Sequence, residues 1–197
     1  MTASISQADA SRSPPARVSG ILVFIIADII VFGILFLGFM SDRLAQLELF
    51  DSSAATLNVN LGMLNTVILM TSGLLVVLAV NAARHGNRSA TRWWLGLSML
   101  VGLGFGVTKL TEYSDKFDHG LSMMTNNFYM YYFVLTGAHF LHFLGGMVAL
   151  AALWFLAGRN QVNGPYFRWL ESGALYWHMV DLLWIVIFPM LYLLGPR

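Results

Sequence analysis

The chain has no cysteine in 197 residues. That excludes disulfides, thiolate-held iron–sulfur clusters and Cys-ligated copper, and leaves haem or metal held by His and carboxylate as the redox chemistry still open. Charge is scarce too. Asp, Glu, Lys and Arg make up 11% of the residues, against about 25% in ordinary soluble domains. Eleven basic residues nearly balance ten acidic ones, so no net field favours nucleic acid as a partner. There is no internal repeat and no stretch long and polar enough for a soluble domain.

What is abundant is apolar sequence, at 57% of the chain. Crossing about 30 Å of hydrocarbon takes about 20 helical residues. Five segments reach that length, approximately 21–40, 61–83, 93–113, 128–156 and 173–194. The expected architecture is therefore an all-α integral membrane protein, a five-transmembrane-helix bundle spanning residues 21–197. The first twenty residues, "MTASISQADASRSPPARVSG", are small and polar and read as a disordered cytoplasmic tail. The following run, Ile21 to Met40, exceeds the usual apolar core of a signal peptide and is expected to stay in the mature protein.

Basic residues orient the bundle. An N-terminus in the cytoplasm puts Arg12, Arg17, Arg84, Arg88, Arg92, Arg159 and Arg168 inside, and leaves Arg43, Lys109, Lys116 and Arg197 at or near the outer side. The positive-inside rule thus favours a cytoplasmic N-terminus and a periplasmic C-terminus. Trp93 and Trp94 on one side, and "FYMYYF" at 128–133 on the other, suit interfacial belts. Ser98, Gly102 and Gly106 recur at intervals of four, as do Gly145 and Ala149, a spacing that lets helix backbones approach closely. Pro189 leaves the Ile185 carbonyl without its usual donor, which predicts a kink late in the fifth helix.

Against this background the ionisable residues inside spans need partners. They are Asp28 on the first span, Lys109 and Glu112 on the third, His139 and His142 on the fourth, and Glu171, His178 and Asp181 around the fifth. The five on the fourth and fifth spans, each standing alone and charged, would together cost on the order of 12–17 kcal/mol. Pairing or neutralisation is required. Residues three, four and seven apart share a helix face, so Glu171, His178 and Asp181 form one stripe and His139 with His142 another, and the two are expected to face each other. Lys109, Glu112 and Lys116 read as an ion-pair ladder at the outer boundary. Three roles for the stripes stay open: an interhelical hydrogen-bond network, proton handling for a neighbour, or a metal or haem centre in a small membrane redox enzyme. A self-associating scaffold is a further class.

The motifs carry a family resemblance. The segment "ESGALYWHMVDLLWIVIFPMLYLL" resembles the last helix of subunit III of the haem-copper oxidases, whose signature is a Glu followed by Y-W-H-x-V-D. "FYMYYFVLTGAHFLHFLGGMVAL" is similar to that subunit's T-G-x-H-x-x-H-x-x-x-G segment, and "KLTEY" to its Glu-Tyr pair. The likeness runs from about Gly20 to the C-terminus, and three motifs in family order make it specific. It implies a multi-pass subunit of the bacterial inner membrane without a redox centre of its own, packed on the catalytic subunit of the oxidase and binding phospholipid between its helices. Supporting assembly, stability or proton uptake is the role implied. Among short five-helix forms, the wording looks most like the accessory protein that accompanies bacterial nitric oxide reductase. Asp28, Glu112, His139, His142, Glu171, His178 and Asp181 are carried over as members of a buried polar network. Asp28 stands where the family commonly has Glu, one methylene longer, so a carbodiimide-sensitive or proton-related role is not carried over to it.

Overall fold

A computed structural model of the chain describes residues 19–159 and 164–195; the sequence reading of a tail falls almost wholly on 1–18, outside them. Six α-helices follow in order: α1 Ser19–Ala45, α2 Leu47–Ala54, α3 Val59–Arg84, α4 Arg88–Asp118, α5 Asn127–Arg159 and α6 Pro165–Phe188. A π-helical turn, Pro189–Leu193, completes the last of them. Five helical segments are long and apolar enough to cross a membrane, α6 being counted with its π turn, and the described residues contain no strand.

Boundaries follow local chemistry. Asn58 and Asn87 cap α3 and α4, their side-chain carbonyls accepting from the amides of Leu61 at 3.1 Å and Ala90 at 3.0 Å. Gly164, at a φ of 51° that disfavours side chains, turns the chain into α6, and Pro165 takes the first helical turn, where its missing N–H costs nothing. The last span thus starts eight residues before the Gly173 expected from hydropathy. Its first two turns, which include Arg168 and Glu171, are helical yet too polar to register as apolar span. At the far end Pro189 widens the helix into the π turn, a relaxation of the same missing donor that predicts a kink.

α2 is an addition to the sequence reading, which places no helix between the spans 21–40 and 61–83. Eight residues cannot span a bilayer, but they suffice to bury Phe50, Ser53 and Ala54 across the end of the bundle. Phe50 packs edge-on against Phe39 of α1 and Phe128 of α5, with ring centroids 5.3 and 5.8 Å away.

Helices α3 to α6 form the closed part of the bundle, with α3 and α4 sharing the most extensive contact and α1 lying outside, against α5 and α6. α1 buries only Phe32 and Phe39 fully. Centrally, α3 and α4 are clasped by two serines: Ser72 Oγ lies 2.9 Å from the Ser98 carbonyl, and Ser98 Oγ lies 3.1 Å from the Ser72 carbonyl. Interhelical hydrogen bonds in membrane proteins average about 0.6 kcal/mol. Ser98→Ala is accordingly expected to lower unfolding stability by about 1 kcal/mol or less, read by thermal unfolding in detergent.

Candidate functional site

The polar residues read from the sequence separate into distinct partnerships. Asp28 of α1 approaches His142 of α5, Oδ2 to Nε2 at 2.7 Å, with Asp28 and His142 side chains 15% and 20% exposed. The approach is close, but Asp28 Oδ2 makes no directed hydrogen bond. His142 Nδ1 donates to the Ala138 carbonyl at 2.8 Å. Attraction to the carboxylate is therefore full only when Nε2 carries a proton as well. Phe24 and Phe32 flank the imidazole, closing the pair off on the α1 side.

His139, three residues earlier, points elsewhere. Its Nε2 donates to the Val180 carbonyl of α6 at 3.0 Å, and the ring lies fully buried between Phe105 and Trp184. Its Nδ1 has no partner among the described residues. On α6, His178 Nδ1 lies 3.5 Å from Asp181 Oδ2. Asp181 is buried against α3 where Gly73 leaves room for it: a side chain there would collide with the carboxylate. His178 itself is 40% exposed.

Glu171 does not join the buried set. It lies on the surface, 47% exposed, with Arg84 3.7 Å away. Two helical stripes therefore do not meet as one network. His139 binds α6 backbone, His142 turns to α1, and His178 with Asp181 stays on its own helix. The 60° between positions three apart on a helix is enough to send His139 and His142 to different neighbours. Exposed pairs contribute little, so Glu171→Gln is expected to shift stability by less than about 0.5 kcal/mol, checked by the same unfolding assay.

The densest constellation is one the sequence places at the boundary. Lys109 is fully buried, and its Nζ lies 2.9 Å from Glu112 Oε2, 3.0 Å from the Tyr192 hydroxyl and 3.3 Å from the Tyr132 hydroxyl. Tyr192 in turn donates to Glu112 Oε1 at 2.6 Å. The rings of Tyr113, Tyr132 and Trp184 lie around the ammonium at 4.8–5.3 Å from their centroids, while Tyr192 meets it end-on through its hydroxyl. α4 runs nine residues beyond Lys109, or about 14 Å, so this charge sits well inside the bundle. The π turn after Pro189 is what delivers Tyr192 to it. Two turns beyond Lys109 on α4, Lys116 donates to the Thr56 carbonyl at 3.0 Å, tying α4 to the loop after α2.

The small residues act as seats for large ones. Trp177 of α6, with no exposed surface, rests against Gly102 of α4 and Gly146 of α5; a Cβ at these positions would lie 3.3 Å and 2.6 Å from the indole. Gly106 receives Phe143, and Gly145 faces the Tyr176 hydroxyl. The close approach on α5 is thus at Gly146, one position from the Gly145 and Ala149 pair read from the sequence, and Ala149 is only partly buried. No three His, Asp or Glu side chains among the described residues come together as ligands for one metal ion. What the arrangement does is give ionisable groups inside the spans protein partners, charged or backbone, and fix helices against one another.

Comparison with known proteins agrees with these motifs. The profile of the family "Cytochrome c oxidase subunit III" matches residues 16–196. Cytochrome c oxidase subunit 3 of Synechocystis is 30% identical over 92% of this chain and 77% of its own length. That of Thermostichus vulcanus is 28% identical over 94% and 90%. Quinol oxidase subunit 3 of Bacillus subtilis is likewise 28% identical over 94% and 90%. Matched nearly end to end, the chain belongs to the cytochrome c oxidase subunit III family.

Proposed function

We propose that this chain is a non-catalytic accessory subunit of a respiratory complex, supporting the assembly, stability or proton uptake of a haem-copper oxidase or nitric oxide reductase catalytic subunit. The observation that carries the reading is that the ionisable groups inside the spans are met by other protein groups. Asp28 with His142, and Lys109 with Glu112, are taken up by protein partners, which suits a scaffold for a neighbouring catalytic subunit. Family membership supports an oxidase catalytic subunit as the neighbour.

A bacterial inner-membrane setting with a cytoplasmic N-terminus is part of the proposal. Arg84, Arg88, Arg92, Arg159 and Arg168 all fall at the ends of α3 to α6 nearest the start of α1, which supports that orientation. Phospholipid is proposed to cover the apolar outer faces, of which α1 exposes the longest. Affinity isolation of this chain from its native membrane in mild detergent tests the assignment. A haem-copper oxidase catalytic subunit, or a nitric oxide reductase, is expected to come with it, the two being told apart by oxygen or nitric oxide consumption. Recovery of a homo-oligomer alone would contradict the proposal.

A further inference from the structure

Tyr192 lies in the π turn that ends the last span, 3% exposed, and its hydroxyl donates to Glu112 Oε1 at 2.6 Å. That length is typical of an O–H donating to an ionised carboxylate, and it puts a base in direct reach of the phenol's proton. The chain has seven tyrosines. Among the described residues only one other, Tyr131, donates to a carboxylate, Asp42 at 3.0 Å, and both of these are partly exposed. Tyr113 donates to the Thr136 hydroxyl, Tyr166 and Tyr176 donate to backbone carbonyls, and Tyr129 pairs with the Thr56 hydroxyl; none of these partners is an anion.

Oxidisable rings lead to this phenol from both sides. Trp184 lies 6.3 Å from Tyr192, centroid to centroid, and the Tyr132 hydroxyl shares the Lys109 ammonium with that of Tyr192. From Tyr132 the series continues to Tyr113 at 6.3 Å, partly buried on α4, and to Tyr129 at 6.4 Å. Trp184 gives its indole N–H to the Thr66 hydroxyl, again no base. An electron vacancy entering at any of these rings therefore meets, at Tyr192, the buried phenol whose proton has a carboxylate to go to. The backbone is built to hold it there: the π turn after Pro189 delivers the ring, and Arg43, paired with Asp51, binds the Leu194 carbonyl just beyond. π turns recur at functional sites.

We infer that Tyr192 is a redox-active tyrosine, a one-electron donor whose oxidation is coupled to proton transfer to Glu112. One electron leaves the phenol for a high-potential one-electron oxidant. The Tyr192 O–H bond breaks, its proton forms an O–H bond with Glu112 Oε1, and the unpaired electron stays on the Tyr192 oxygen and ring. Loss of an electron turns a phenol into a strong acid, so the radical persists only where a base already touches the hydroxyl. Lys109 Nζ, 3.0 Å from the same oxygen, still has a hydrogen to donate to it after the proton has moved. The inference goes beyond the accessory-subunit reading and rests on it only for the natural source of the oxidant, a metal centre of the catalytic partner.

The test uses the purified full-length chain in detergent. Trivalent ruthenium tris-bipyridine, generated by a light flash with persulfate, is the oxidant, and electron paramagnetic resonance of samples frozen after the flash is the readout. A tyrosyl signal is expected, identified by its narrowing when the chain is made with ring-deuterated tyrosine. Tyr192→Phe should remove the main part of it, and Tyr131→Phe should leave it. Because Tyr192→Phe also strips Glu112 of a partner, fluorotyrosine inserted in place of Tyr192 serves as the second variant: it keeps the hydroxyl and should add fluorine hyperfine splitting to the signal. Lys109→Met combined with Glu112→Gln leaves the phenol but takes away its base, and should abolish the signal in a chain that thermal unfolding shows to be folded. A structural role of Glu112 alone predicts no such loss. Absence of a tyrosyl signal, a signal without fluorine splitting, one that follows Tyr131 instead, or one of full size in the double variant would overturn the inference. The oxidant is added and the catalytic partner is absent, so failure here is distinguishable from failure of the accessory assignment, which is read by capture of that partner.

Discussion

Replacing Lys109 by Met is expected to destabilise the bundle by about 3–5 kcal/mol, the usual consequence of leaving one member of a buried ion pair uncompensated. Met keeps most of the volume of the stem but removes the ammonium that Glu112, Tyr132 and Tyr192 surround. Glu112, 4% exposed, would keep only the Tyr192 hydroxyl as a partner. The measurement is thermal or denaturant unfolding in detergent, together with the yield of folded protein. A double substitution, Lys109→Met with Glu112→Gln, removes both charges while leaving an amide oxygen for Tyr192, and should recover much of the loss. If the single variant were as stable as the parent, the ammonium and carboxylate would not be the coupled pair their 2.9 Å separation describes.

The second large effect is expected at Gly146. Alanine there sets a methyl group 2.6 Å from Cε3 and 2.8 Å from Cζ3 of Trp177, a ring with no free surface into which to move. Overpacking of this kind costs about 1–3 kcal/mol, and the rigid indole places Gly146→Ala toward the upper end. Its neighbour provides the control. Gly145→Ala meets only the Tyr176 hydroxyl at 3.1 Å, on a partly buried side chain with room to swing. Its expected cost is well under 1 kcal/mol. Equal effects from the two substitutions would mean that Trp177 is not seated between Gly102 and Gly146.

The contrast between Gly145 and Gly146 shows where sequence reasoning stops. Spacing by four identifies Ser98, Gly102 and Gly106 on α4, and each meets a side chain or backbone of another helix: Ser72, Trp177 and Phe143. On α5 the same rule favours Gly145 with Ala149, yet one residue is 100° of helix rotation, and only the position of Trp177 decides which glycine faces inward. The five spans are legible because about 20 apolar residues leave few alternatives in a bilayer. The helical start at Pro165 is not, since hydropathy discounts the polar turns that precede Gly173.

The ionisable residues divide in the same way. That Asp28, His139, His142 and Asp181 require partners follows from the cost of isolated charge; Asp181 takes His178 on its own helix, but the partners of Asp28, His139 and His142 depend on contacts between helices far apart in the chain. Lys109 is misjudged for a related reason. Proximity to the end of its apolar run suggests exposure, but α4 continues to Asp118, and Tyr192 lies 83 positions away in sequence. The aromatic residues at 113, 132, 184 and 192 are visible in the sequence, but their convergence on one ammonium is not. Gly73, whose missing side chain admits Asp181, carries no local signal at all.

Haem and metal content of this chain, measured after it is separated from the complex isolated with it, tests the central proposition most directly: its buried imidazole and carboxylate groups hold helices instead of a prosthetic group. The expected result is haem, iron and copper far below one per chain, with the oxidase or reductase spectrum remaining with the catalytic subunit. One haem or transition-metal ion retained per separated chain would contradict it.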